Sequence, residues 1–201
     1  MTADEYLQIL REDVLAATPL LLGWTLSRGD LKARIVEVEA YRSDEPAAHS
    51  YRKTKMKNMA MFGPPGHAYV YFSYGCHWML NLVAHDEGSA AAILIRAAEP
   101  ISGHEIFKSR RPKAKRDEDL LPGPGKLAAA FHITDRDNSC NLLSPEDSET
   151  QLQLTPGEQP RNILRGPRVG IALGKAHDFQ WRFVDGDQLR WVSRPHNFES
   201  L

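Results

Sequence analysis

The chain has 201 residues, 42% of them hydrophobic and 25% charged, a globular composition sized for one domain and unlike that of disordered, collagenous or coiled-coil chains. No run approaches 18 apolar residues, which excludes a spanning helix, and the acidic start Met1-Thr2-Ala3-Asp4-Glu5 argues against an export signal. The net charge of −1 is unevenly spread, with eleven basic and four acidic groups in residues 51–116 against two and nine in residues 117–160. A basic stretch of this kind is a contact surface for a polyanion or a solvated loop. Its clusters are Arg52, Lys53, Lys55 and Lys57, then Lys108, Arg110, Arg111, Lys113, Lys115 and Arg116. Two cysteines, Cys76 and Cys140, make no disulfide framework, so a reducing cytoplasm is the expected compartment.

In chain order, Thr2 with Glu5 three residues on reads as a capping box. The apolar spacing from Leu7 to Leu22 predicts a helix that Pro19 divides. A turn at Arg28-Gly29-Asp30 leads into a predicted strand over 31–41, followed by a charged loop and the breaker Gly63-Pro64-Pro65-Gly66. Strands are predicted over 69–72, 78–84 and 91–98, joined by turns at Tyr74-Gly75 and Asp86-Glu87-Gly88, which makes that part of the sheet antiparallel. Residues 101–116 predict a basic helix ended by Pro112, and residues 126–132 another. The acidic stretch 144–160 reads as a loop. Late strands are expected over 169–173, 181–184 and 189–192, the last two forming a hairpin across Asp185-Gly186-Asp187. With no repeat and no break in composition, residues 1–201 read as a single α+β domain.

The informative residues are polar ones inside these strands. Strict alternation over 31–41 puts Leu31, Ala33, Ile35, Glu37, Glu39 and Tyr41 on one face, and Val36, Val38 and Ala40 on the other. Either the first face is wet, as Glu37 suggests, or Glu39 stands beside Tyr41 for a reason, because an ionised carboxylate is not buried unpartnered. Asn81 and Arg96 interrupt the next strands, and each alone reads as a satisfied core group, Arg96 as the mate of Glu37 or Glu99. Together, an acid, an amide and a guanidinium outline a polar pocket in an apolar sheet. Tyr74, at a hairpin tip between basic clusters, is placed to stack on bases or wedge between them. His49 reads as structural by itself. A metal-dependent hydrolase using His49, His67 and His77 is a weaker reading, because the eight histidines show no zinc spacing, and no P-loop, GxSxG or GxGxxG occurs.

Several segments resemble the alkyladenine (3-methyladenine) DNA glycosylase family, in its bacterial-type form. They are RIVEVEAY (34–41), AAHS (47–50), MFGPPGHAYVYFSYG (61–75), CHWMLNLV (76–83), ILIRAAEP (93–100), GPGKL (123–127) and GPRVGI (166–171), in the family's order. The loop at 51–60, Cys76 where a Met is usual, and residues 144–160 depart from its pattern. The resemblance implies one compact domain with a curved, mostly antiparallel sheet, flanking helices and a protruding hairpin. It implies no metal or cofactor, and a monomer that binds double-stranded DNA carrying a damaged purine. It further implies a base flipped into a pocket, water attack at C1′ and no lyase activity. By motif position, Glu39 resembles the water-activating carboxylate, and Arg96 the arginine that helps fix the water and sugar-phosphate. Tyr41 and Tyr71 resemble the rings that stack on the base, and His49 the contact to phosphate and base edge. Asn81 resembles the amide that disfavours guanine, and Tyr74 the wedge that fills the gap left in the duplex.

These residue types suit the reaction. The oxocarbenium-like transition state carries positive charge, which a nearby carboxylate stabilises while it takes a proton from water. A cationic alkylated purine leaves without an acid, and an aromatic pocket favours it through cation–π attraction. The competing reading is a non-catalytic nucleic-acid-binding module in which Glu39 merely pairs with Arg96.

Overall fold

The computed structural model describes residues 1–51, 56–73, 75–85, 90–144, 151–194 and 197–201, with only the backbone of Met56 and Lys57. Thr2 and Glu5 close the capping box and open α1 (Ala3–Glu12). The break that follows lies at Asp13 rather than Pro19. The Asp13 carboxylate accepts from Leu15 N (2.8 Å) and Ala16 N (3.4 Å), capping α2 (Val14–Leu20), and Pro19 lies inside that helix.

The strands are β1 (Thr25–Arg28), β2 (Leu31–Arg42), β3 (Ala68–Ser73), β4 (His77–Ala84), β5 (Ala91–Ser102), β6 (Leu152–Thr155), β7 (Ile163–Gly166), β8 (Arg182–Asp185) and β9 (Glu199–Ser200). Among the described residues they form one sheet in the order β3-β4-β5-β2-β8-β7-β9, with β1 between β2 and β6 and every pairing antiparallel. The architecture is α+β. Gly103, at φ +82°, turns the chain from β5 into α3 (His104–Arg110), and a Cβ there would collide with the Leu31 side chain. The helix forecast over 101–116 is therefore shorter, because residues 101 and 102 still belong to β5. Then α4 (Pro124–Phe131) places proline at its first turn, where the missing N–H costs nothing.

Three late expectations fail. Residues 169–173 are a loop, and the strand of this region is β7 just before it. Residues 186–191 form a 3₁₀ turn instead of a hairpin strand, because the Asp185 carboxylate accepts from Asp187 N (3.0 Å) and starts a helical turn. The stretch 144–160, read as loop, contains β6.

One face of the sheet packs on the helices. Leu26, Leu31, Ala33, Ile35, Val38, Ala40, Leu80, Leu82, Ile93 and Ile95 share a core with Tyr6, Leu10, Val14, Leu127 and Phe131. This corrects the alternation over 31–41. Ile35 pairs with Ala98 and Glu37 with Ala97, so Val36 is an extra residue on β2. Val38 then pairs with Ile95, so Arg96 is an extra residue on β5. The two bulges re-phase the strands. Ile35 lies on the core side with Val38 and Ala40, and Glu37, Glu39 and Tyr41 turn to the opposite face. That face is not wet, because Glu37 and Glu39 are both fully buried.

Candidate active site

On this second face a cavity of about 450 Å³ opens between β2, β3, β4, β5 and the loop after β7. Its charged wall begins at Arg96. The bulge aims this guanidinium across β2, where Nε donates to Glu37 Oε1 (2.9 Å), Nη1 to Glu39 Oε2 (3.3 Å) and Nη2 to Ser193 Oγ (3.3 Å). Burial alone would lower the Arg96 pKa, but Glu39 and Glu37 outweigh it and raise it, so the cation is permanent. Glu37 is saturated. Arg182 Nε (2.8 Å), Ser193 N (2.7 Å) and Ser193 Oγ (2.9 Å) also donate to it. Burial raises its pKa, yet Arg96, Arg182 and these donors hold it below the ordinary carboxylate value.

Glu39 has a different set of partners. Oε2 accepts from the Tyr41 hydroxyl (2.8 Å) and Arg96, and Oε1 from the Val169 backbone N–H (2.7 Å). Tyr41, Arg96 and Val169 all line the cavity, so each partner of Glu39 is itself cavity wall. The contact to Arg96 is the longest of the three, beyond the 2.7–2.9 Å of a tight charge-assisted bond. Burial first, then the Glu39 charge, pushes the Tyr41 pKa well above its usual value, which keeps the phenol a donor.

Arg168 fixes this corner from behind. Its guanidinium lies 4.6 Å from the centre of the Tyr41 ring and grips Glu45 through both oxygens (2.7 and 3.0 Å). It also donates to Ala40 O (2.8 Å). The residue after it is Val169, so one buried ion pair positions both the ring and the amide that meet Glu39.

The opposite wall is aromatic. Tyr69 and Tyr71 stack at 5.4 Å, and the His49 ring meets Tyr71 edge-on at 4.4 Å with Nδ1 3.0 Å from the Tyr69 hydroxyl. Asn81 is buried, its Nδ2 donating to Tyr69 O (3.0 Å), and Met61 and Met79 complete the wall. Five residues singled out in the sequence, Arg96, Tyr41, His49, Tyr71 and Asn81, therefore line one cavity, and the sixth, Glu39, lies directly behind it, bonded to Tyr41 and Arg96. Tyr74 lies outside the described residues. Its neighbours form a β3–β4 hairpin on which Phe72, 52% exposed, packs against Trp78 at 4.9 Å.

The sequence reading missed Glu45, Arg168, Arg182, Ser193 and the Val169 amide as parts of the site. The segment GPRVGI carried the signal for two of them. His49, His67 and His77 do not converge: His67 Nδ1 sits 3.4 Å from Pro65 O, and His77 packs where a Cβ on Gly125 would stand. Among the described residues no three metal-ligating side chains cluster. The basic cluster over 52–57 lies outside the described side chains. In the other, Lys108 pairs with Glu105 and Asp117, Arg116 with Asp119, and Arg110 donates to Ala130 O, leaving Arg111, Lys113 and Lys115 without a carboxylate partner among the described residues.

A family model described as methylpurine-DNA glycosylase matches residues 8–188, a span that holds Glu39, Arg96, Arg168 and Arg182. The chain belongs to this family. It is 46% identical over 177 residues, 88% of its own length and 82% of the relative's, to a Rhodopseudomonas palustris protein provisionally named a 3-methyladenine DNA glycosylase. It is 41% identical over 195 residues, 96% of its length and 74% of the relative's, to the DNA-3-methyladenine glycosylase of Arabidopsis thaliana. No helix of this family member is long and apolar enough to cross a membrane among the described residues.

Proposed function

We propose that the chain, acting as a monomer of one domain over residues 1–201, is a monofunctional purine DNA glycosylase. It receives a damaged purine of the 3-methyladenine or hypoxanthine class, extruded from duplex DNA, and hydrolyses its N-glycosidic bond by water attack at C1′, the opening step of base excision repair. The observation that carries this reading is Glu39: a fully buried carboxylate whose every partner is also a wall of the cavity. A carboxylate kept only for stability would be saturated as Glu37 is, by groups at its own back.

In this reading the long Glu39–Arg96 contact is where water enters. Arg96 is anchored by Glu37 whether or not Glu39 holds it, so a water between the two gains a donor in Arg96 and an acceptor in Glu39. Glu39 takes its proton and faces the positive charge that develops at C1′. Tyr41 and Tyr71 sandwich the purine, His49 meets its edge or the phosphate, Asn81 opposes guanine's exocyclic amine, and Tyr74 fills the gap in the duplex. Extrusion costs a few kcal/mol and is cheapest at a damaged or mispaired base, which adds to the selectivity.

A duplex oligonucleotide with one hypoxanthine or alkylated purine, treated with alkali after incubation, tests this. The expected result is breakage at the lesion only after alkali, undiminished by chelator. With Glu39→Gln the single-turnover rate falls by a factor on the order of 10² to 10⁴. Equal breakage by Glu39→Gln and the parent protein overturns the assignment and leaves a nucleic-acid-binding module.

A further inference from the structure

The guanidiniums buried around the cavity each have a carboxylate. Arg96 is shared by Glu37 and Glu39, Arg182 is held by Glu37, and Arg168 by Glu45. Arg194 differs. It lines the same cavity, it is exposed, and among the described residues no carboxylate pairs with its side chain. Its backbone is fixed, because Arg182 Nη2 donates to Arg194 O at 2.6 Å, and the preceding residue, Ser193, bonds both Glu37 and Arg96. A cation held at the mouth, one residue beyond Ser193, therefore lacks a counterion among the described residues.

From this position we propose that Arg194 binds a phosphate flanking the extruded nucleotide, supplying the anion clamp that holds the sugar against Arg96 and Glu39. The inference rests on the glycosylase reading. A base seated against Tyr41 and Tyr71 leaves its two phosphodiesters at the mouth, the only part of the nucleotide that carries full negative charge there. A planar guanidinium fits a phosphate with two parallel N–H donors. The pocket floor needs no further cation, since Arg96 is already there. Arg194 is a binding residue for DNA backbone rather than for the lesion, so its contribution is the same whatever the base.

Binding of Arg194→Ala, Arg194→Gln and Arg194→Lys to duplex DNA containing a tetrahydrofuran abasic analogue, measured between 50 and 250 mM salt, tests the proposal. Loss of the charge should weaken binding about tenfold at low salt and reduce the slope of log Kd against log salt by about one. Arg194→Lys should restore the slope. The relative excision rates of hypoxanthine and an alkylated purine should stay as in the parent protein. An unchanged slope in Arg194→Ala overturns the proposal, and a changed lesion preference overturns it in favour of a contact to the base. If the parent protein excises nothing, the glycosylase reading fails instead, and the salt slope still reports whether Arg194 meets phosphate.

Discussion

The cavity has two walls made on different principles. The β2–β5 wall is backed by a charged lattice: Arg96, which lines the cavity, with Glu37, Glu39 and Arg182 behind it, buried and cross-bonded at 2.8–3.3 Å. The β3–β4 wall is aromatic, with Tyr69, Tyr71 and His49 in ring contact and one amide, Asn81, tied to the backbone. The first wall cannot adapt without stranding a charge, which suits fixed chemistry. The second offers π-faces and two thioethers, which tolerate several ring shapes. In the proposed reading the contrast separates catalysis from recognition, and substitutions should divide along it.

The largest effect is expected within the charged wall, between its two acids. Glu39→Gln should abolish most turnover while lesion binding persists, a drop on the order of 10² to 10⁴ in rate read by single-turnover kinetics. Glu37→Gln should act on folding, since it leaves Arg96 and Arg182 short of a shared partner. Unfolding in denaturant should show a loss of about 3–5 kcal/mol. If both variants lose rate and neither loses stability, the division between the two acids is wrong. On the aromatic wall, Tyr71→Ala should raise the Kd for lesion DNA by about five- to a hundredfold, the worth of one stacked base, with the rate at saturation falling far less.

The smallest effect is pH-dependent. The folded-state pKa of Glu37 lies below its unfolded value, so its contribution is present above the ordinary carboxylate range and is lost as pH falls through the depressed value. Thermal melts should therefore show stability declining into acid, with a shallower decline in Glu37→Gln. An identical decline in both proteins would place the acid sensitivity elsewhere.

Much of this was readable in advance. The capping box, the long strand β2 and the β3–β4 hairpin follow from local patterns, and Glu39, Asn81 and Arg96 drew notice because polar groups rarely interrupt buried strands. Glu37, Glu39 and Tyr41 do share a face, but Leu31, Ala33 and Ile35 do not lie on it, because a bulge is a property of two paired strands and strict alternation assumes none. The Val169 contact was invisible for another reason: it is a backbone N–H, present at almost every position, and only the fold aims it. The 3₁₀ turn at residues 186–191 was lost to the apolar pattern of Leu189 to Val192, which a side-chain cap from Asp185 overrode.

The paired bulges also make chain length a constraint of its own. Val36 and Arg96 are compensating insertions on facing strands, so the ladder enters and leaves this region in step. Deleting Val36 alone would keep every catalytic side chain in the protein. It would also leave the Arg96 bulge without its counterpart, so that β2 runs one residue short against β5 through this region. Libraries that sample only substitutions would never uncover this dependence, whereas single-codon deletions scanned across residues 33–38 would reveal it as a sharp band of inactivity.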